Sequence, residues 1–212
     1  MAVTLWGEVY WFSPYVFSAF VGLKEKGVSF EVKLIDVYSA EQHRPDYQAH
    51  TVTARVPSLE HDGFWLAESS AIIEYVDETF DGPPLLPRDA KERARARQVM
   101  AWLRSDLVPL RDEYSTYTMF YERATAPLSG AGRASADKLV AVADRLLAPG
   151  ATQLFSTWSS ADADLTFALH RLIRNGYELP SKIRAYADRQ WQRPSLRAFV
   201  EHPRPEQGPK PT

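Results

Sequence analysis

The sequence predicts an α/β plus all-α protein, a short mixed region followed by a region built only of helices. Three observations carry this. Residues 3–35 pass from a β-branched and aromatic run to a helical period and back to an alternating run. Asp62-Gly63 then sits between two short apolar runs, a hairpin signal. Beyond the glycine- and proline-rich stretch DGPPLLPRD, apolar residues recur only at helical spacing.

Taken in order, VTLWGEV at residues 3–9 reads as a strand. Ser13-Pro14 is a helix-start pair, with serine at the N-cap and proline at the first helical position. Val16, Ala19, Phe20 and Leu23 carry the apolar face, and Lys24, Lys26 and Gly27 end the helix in the manner its dipole and C-cap favour. VSFEVKLI at 28–35 is a second strand, so the chain opens β-α-β, a parallel pair joined by a right-handed crossover. Residues 38–54 are polar and irregular, with one short helical turn near 45–49. RVPSLEHDGFWLAE gives the hairpin, and Glu68-Ser69-Ser70 begins a helix with Ile72, Ile73, Val76 and Phe80 on its inner face.

The second half predicts a charged helix over 89–108, which Pro109 kinks or ends, then helices over about 110–124, in the stretch LSGAGRASADKLVAVADRLLAPG with Leu139, Val142, Leu146 and Leu147 as its stripe, over 159–175, over 181–192 and over 195–201. Arg93, Arg95, Arg97 and Arg104 on the first of these read as a solvated or subunit-facing face. The last residues, HPRPEQGPKPT, have the composition of a disordered tail. The expected boundaries are a domain over 1–82, a linker over 83–88, a helical domain over 89–201 and a tail over 202–212.

Composition narrows function by exclusion. At 212 residues, with 45% hydrophobic and 25% charged residues, the chain is an ordinary globular one. A net charge of -2 offers no basic excess for neutralising phosphates, so nucleic acid is not an expected partner. The start MAVTLWGEVYWF lacks the basic region and long apolar run of a signal peptide, and no stretch approaches a membrane span. A cytoplasmic location is expected. There is no cysteine, so any thiol chemistry must use a thiol brought by a ligand. The five histidines show no metal-ligand spacing, and no phosphate-binding glycine motif is present.

Four motifs bear on chemistry, each with two readings. Val56-Pro57 either sets the entry of a strand or leaves the Val56 backbone free at a sheet edge to pair with a bound peptide. Glu68-Ser69 either caps a helix or offers a helix N-terminus for a carboxylate and an acidic group for an ammonium, which together suit an α-amino-acid head. Ser13 is a good N-cap and also a hydroxyl able to donate to a ligand thiolate at a helix start, where a thiol's pKa falls below its free value of ~8.5. Ser159-Ser160-Ala161-Asp162 is a capping box with Asp in place of Glu, and is read as structural.

Taken together, the β-α-β opening, Val-Pro before a hairpin, Glu-Ser at the next helix start, the proline linker and the S-x-A-D box resemble the cytosolic glutathione S-transferases. FSPYV, RVPSL, ESSAIIEY, RARARQVMAWLRSDL and SSADADL are similar to a bacterial serine-type branch, in the style of the theta and zeta classes. The resemblance covers nearly the whole chain. It implies a thioredoxin-like N-terminal domain and an all-helical C-terminal domain, glutathione as co-substrate, no metal, and a homodimer. It implies that Val56 pairs with the cysteinyl part of glutathione and that Pro57 is the cis-proline presenting it. By the same resemblance Glu68 and Ser69 hold the γ-glutamyl head, Arg55 lies near the glycine carboxylate, and Ser13 stabilises the thiolate. Tyr10 remains the alternative to Ser13, since tyrosine-type relatives use a tyrosine near the end of the first strand.

The expected reaction is attack of the glutathione thiol on a small hydrophobic electrophile, with Tyr15, Tyr114 and Tyr117 as candidate substrate contacts. Peroxidase or disulfide reductase chemistry fits the same thiol. A dedicated isomerase or dehalogenase and a non-catalytic regulatory or assembly module are the alternatives.

Overall fold

The structure, a computed structural model, describes residues 2–209. It divides into two units: one runs to Leu85 and takes in Arg197–Glu206, and the other holds Leu86–Leu196.

The first unit contains β1 (Val3–Glu8), α1 (Pro14–Lys26), β2 (Glu31–Ile35), the short α2 (Pro45–Gln48), β3 (Ser58–His61), β4 (Phe64–Ala67) and α3 (Ser69–Thr79). The four strands form one sheet in the order β2-β1-β3-β4, with β1 and β2 parallel and the other pairs antiparallel. α1 starts and stops as its sequence predicts. Ser13 caps it, Pro14 occupies its first turn, and Gly27 leaves it at φ 77. Gly27 N donates to Lys24 O and Val28 N to Leu23 O, the paired bonds of a Schellman ending.

Phe17 and Leu23 on α1 and Ile72 and Ile73 on α3 are buried, Phe17 against the ring of Phe199 at 5.4 Å. Each such side chain removes apolar surface worth about 1.5–3 kcal/mol. Close approach of α1 to α3 requires Gly22, where a Cβ would stand 2.4 Å from Ile73 Cδ1. The far ends of the two helices are tied by Lys26, whose buried Nζ donates to Asp77 O at 2.9 Å and to Asp77 Oδ1 at 3.0 Å. The same carboxylate oxygen accepts from Leu85 N at 2.8 Å, so the expected linker begins as an anchored segment with Leu85 buried.

The second unit contains α4 (Ala90–Ser105), α5 (Val108–Glu113), α6 (Tyr117–Phe120), α7 (Gly130–Leu146), α8 (Ser160–Arg174), α9 (Ser181–Trp191) and the start of α10 (Pro194–Val200). Its core gathers Leu110, Leu139, Leu165, Leu169, Leu172 and Ile183. Four details differ from the expectation. The single helix expected over about 110–124 is two short ones, α5 and α6. Pro109 lies in the first turn of α5 and so begins a helix, after Leu107 breaks the chain at φ 65. The inner face of α7 is Ala136, Leu139 and Ala143, with Leu147 just past its end, so small alanines take the place expected for Val142 and let neighbouring helices approach. Arg104 is no solvated residue: its Nη1 donates to Asp164 Oδ2 at 2.6 Å and to Met100 O at 2.9 Å.

The expected disordered tail is corrected in part. Residues 202–206 belong to the first unit. His202 stacks on Trp11 with ring centroids 3.6 Å apart, and Arg204 donates from Nε and Nη2 to Trp11 O at 3.0 and 2.7 Å. A proline-rich, polar composition argues for disorder only while its side chains lack fixed partners, and Trp11 supplies them. Residues 210–212 of that expected tail lie outside the described residues.

Candidate active site

The strand register gathers the candidate motifs of the first unit at one end of the sheet. Trp6 on β1 pairs with Ser58 on β3, and Ser58 pairs with Ala67 on β4. Because β3 runs antiparallel to its two neighbours, the end of β1, the beginning of β3 and the end of β4 share one end of the sheet; β3 lies between β1 and β4, so Val56 stands at a strand end and not on the sheet edge that the sequence suggested. From that end leave the loop to Ser13, the Val56-Pro57 dipeptide and Glu68-Ser69.

Ser13 is half-buried, and its Oγ accepts the cap bond from Val16 N at a long 3.3 Å. A hydroxyl that accepts still has its proton to donate. The loop before it is fixed by a residue that sequence reasoning missed. The carboxylate of Glu8, only 2% exposed, accepts from Tyr10 N at 2.7 Å, Phe12 N at 2.7 Å and Ser13 N at 2.9 Å. A glutamate at the end of a strand reads as a solvated charge, and the only available signal was its place two residues before a run of aromatic loop residues.

Val56-Pro57 is cis, and Pro57 is buried just before β3. The turn is held by Tyr47 of α2, whose hydroxyl donates to Arg55 O at 2.9 Å and lies 2.9 Å from Ser58 Oγ. Burial pushes the Tyr47 phenol above its ordinary value, keeping it a donor. The Arg55 residue is exposed.

Glu68 takes the N-cap position of α3 but its side chain makes no capping bond. It is exposed, and its backbone stands at φ 71, ψ 113. Such a conformation costs a non-glycine residue on the order of 1–3 kcal/mol and is retained where something other than local comfort requires it. Ser69, next in line, is buried at the first turn of α3. The plain capping reading would have Ser69 or Ser70 as N-cap; the N-cap is instead Glu68, with no side-chain capping bond.

Tyr10 is stacked on Phe12 at 5.7 Å and meets Tyr38 edge-on at 5.5 Å. Its phenol is raised by burial and then by the charges of Asp36 and Glu8. Tyr15 is half-buried on the first turn of α1. In the second unit Tyr114 is buried within the helical core, and its carbonyl accepts from Arg171, because α5 ends there with its inner face turned to α7 and α8. Tyr117 is half-buried and stacked on Tyr121 at 5.3 Å. A groove of about 490 Å³ on the first unit, walled by Trp6, Lys33, Tyr47, His50, Glu60 and Trp65 among others, includes none of the candidate residues. Among the described residues no group of three His, Asp or Glu side chains is placed to hold a metal ion, and no helix is long and apolar enough to cross a membrane.

Comparison with known proteins places this arrangement. The family described as "Glutathione S-transferase, C-terminal domain" matches residues 89–203, and "Glutathione S-transferase, N-terminal domain" matches residues 12–79. A solved glutathione transferase homolog from Burkholderia, with bound glutathione, is 39% identical, covers 95% of this chain and 97% of its own, and superposes with a TM-score of 0.78. A probable glutathione S-transferase of Nicotiana tabacum is 40% identical over 42% of this chain and 39% of its own. A maleylacetoacetate isomerase of Dictyostelium discoideum is 35% identical over 49% of this chain and 48% of its own. The chain thus spans half or less of the length of those two curated relatives, but nearly all of the solved one. With one domain description matching the sheet-and-helix half and the other matching more than half of the whole, the chain belongs to the glutathione S-transferase family.

Proposed function

We propose that the protein is a glutathione transferase in which Ser13 stabilises the thiolate of bound glutathione for attack on a small hydrophobic electrophile. The observation that carries this is the row Trp6, Ser58 and Ala67, which brings the Ser13 loop, the cis Val56-Pro57 and the Glu68-Ser69 helix start to one end of the sheet. In this reading the backbone of Val56 pairs with the cysteinyl part of the tripeptide. The start of α3 and Ser69 hold the γ-glutamyl carboxylate, where the helix dipole favours an anion, and Glu68 meets the ammonium. Arg55, with its exposed side chain, meets the glycine carboxylate. The thiol gives up its proton to solvent at the start of α1, where the Ser13 hydroxyl donates a hydrogen bond to the thiolate sulfur and the helix N-terminus favours the negative charge. The chemistry supplied is nucleophilic attack by that thiol; the chain binds, orients and holds the charge.

Ser13 is preferred over Tyr10 because the Tyr10 ring is engaged by Phe12 and Tyr38, while the Ser13 hydroxyl stands at the helix start. For the electrophile, Tyr15 follows Ser13-Pro14 directly and is half-buried; Tyr114 is buried and takes no substrate role. A homodimer and a cytoplasmic location complete the proposal, supported by the family. Peroxide or disulfide reduction needs the same thiolate and no further group from the protein.

The likeness to a maleylacetoacetate isomerase favours a second reading, a glutathione-dependent isomerase. The two separate on thiol stoichiometry, since a transferase consumes glutathione and an isomerase returns it. The test is a titration of bound glutathione by thiolate absorbance, with turnover measured for wild type and Ser13→Ala. Wild-type turnover in the variant rejects Ser13 and moves the role to Tyr10. No binding of glutathione at millimolar concentration rejects the enzyme in favour of a non-catalytic module.

A further inference from the structure

The loop that delivers Ser13 is held from two sides by residues outside the motifs that resemble the family. On one side is Glu8, a charged side chain at the end of β1 that is nearly fully buried and bonded to the backbone N–H groups of residues 10, 12 and 13. Burying a carboxylate is costly unless such donors replace its water, and here all three donors come from one short loop. The loop pays for that convergence at Trp11, which skips the carboxylate and stands at φ 51, a left-handed backbone that a bulky side chain avoids.

On the other side is the C-terminal segment of the same unit. Arg204 sends Nε and Nη2 to the Trp11 carbonyl, while the guanidinium also donates to Val200 O, His202 O and Phe199 O. The Trp11 ring is stacked on His202 at 3.6 Å and packed on Phe199 at 5.4 Å. Glu8 therefore fixes the N–H groups on either side of Trp11, and the segment 199–204 fixes its carbonyl and ring. An unfavourable backbone held from both sides is over-determined, which is how a strained loop next to a site persists.

We propose that Glu8 and Arg204 are positioning residues for Ser13, and that the C-terminal segment is part of the thiol-activating apparatus. This rests on the reading in which Ser13 stabilises the thiolate. Glu8 acts on Ser13 directly through its N–H; Arg204 acts through Trp11.

The test uses the full chain with glutathione and compares Glu8→Gln, Arg204→Ala, Arg204→Lys and Ser13→Ala. The pKa of the bound thiol is read from thiolate absorbance against pH, beside kcat, KM and the melting temperature. Both Glu8→Gln and Arg204→Ala are expected to hold glutathione within about threefold of wild type while the thiol pKa rises toward its free value of ~8.5 and kcat falls about 10-fold to 100-fold. Arg204→Lys, which keeps a donor, recovers part of kcat. A merely structural role lowers the melting temperature and leaves the thiol pKa of the folded protein unchanged. If Glu8→Gln does not fold, Arg204→Ala decides. An unchanged thiol pKa and kcat in folded Arg204→Ala, with Ser13→Ala shifted, overturns this inference alone. A thiol pKa unmoved by Ser13→Ala overturns the reading beneath it.

Discussion

The starts of α8, α1 and α3 all carry serine, with an acidic residue in the first turn of α8, one at the N-cap of α3 and none in the first turn of α1, and their side-chain caps differ. At α8 the capping box is complete, although the Ser160 hydroxyl in the first turn is buried without a hydrogen-bond partner among the described residues. Asp162 is fully buried and accepts from Leu154 N at 2.7 Å, Tyr186 Oη at 2.8 Å, Ser159 N at 2.9 Å and Ser159 Oγ at 3.1 Å. At α1 the cap is one long bond from Val16 N, and at α3 the N-cap residue is exposed, strained and makes no cap bond at all. A helix start that completes its own hydrogen bonds spends its dipole internally; one that does not keeps donors and field for something else. The difference separates a structural cap from a binding end better than the residue types do.

The largest expected effect is on the closed side. Asp162→Ala leaves Leu154 N, Ser159 N and two hydroxyls without an acceptor in a dry interior, and is expected to cost about 3–4 kcal/mol of stability. Denaturant unfolding of the isolated variant measures it. A loss near that of an exposed cap, about 1 kcal/mol, breaks the distinction drawn between the helix starts.

Acid probes the same closed region. His170 on α8 lies with Nε2 3.2 Å from Ala187 O and its ring stacked on Trp191 at 3.8 Å. Burial lowers its pKa from 6.5 to about 4, with Ala187 O and Asp188 opposing and Arg174 and Arg184 adding to the drop. The folded value lies below the unfolded one, so between those two values the unfolded chain binds a proton that the folded chain refuses. Stability therefore falls as pH falls from about 6.5 toward 4, by up to about 3 kcal/mol for this group. The difference in unfolding free energy between wild type and His170→Gln, followed across that window, should shrink as pH falls. A difference that stays constant with pH means the ring is already charged in the fold.

Next comes the open side. Ser13→Ala is expected to lower turnover about 100-fold, as loss of one donor to a developing or stabilised anion does, while costing no more than about 1 kcal/mol of stability. Ser159→Ala should show the reverse pattern, with lower stability and unchanged turnover of the folded enzyme. Matching profiles for the two variants would erase the contrast between the caps.

How far the sequence reaches follows the same line. Local chemistry was legible: Ser13-Pro14 and Gly27 bound α1, Asp62-Gly63 turns the hairpin with both residues at positive φ, and the S-x-A-D box starts α8. What was hidden depends on partners distant in the chain. Glu8 looks like a surface charge until the loop folds back on it, Tyr47 looks like part of an irregular polar stretch until its hydroxyl reaches Arg55 O, and His202 and Arg204 look disordered until Trp11 receives them. Tyr114 erred the other way, since an aromatic in a helix reads equally as pocket wall or core, and only packing decides. Pattern finds the ends of elements; long-range contacts decide which of those ends are held.

The smallest expected effect is the most diagnostic. Glu68 has an exposed side chain and an unfavourable backbone, so folding alone gives little reason to keep a glutamate there. Glu68→Gly relieves the backbone and is expected to change stability by less than about 1 kcal/mol, because the strain released is offset by the extra freedom of glycine in the unfolded chain. If Glu68 meets the ammonium of a γ-glutamyl head, the same change raises the glutathione KM several-fold, roughly the worth of one exposed charge pair, and leaves kcat nearly intact, since uniform binding is lost equally from ground and transition states. Calorimetric titration with glutathione beside a thermal melt separates the two quantities. Unchanged affinity would mean that the strain at Glu68 serves the turn from β4 into α3, and the open start of α3 would then need a ligand other than an amino-acid head.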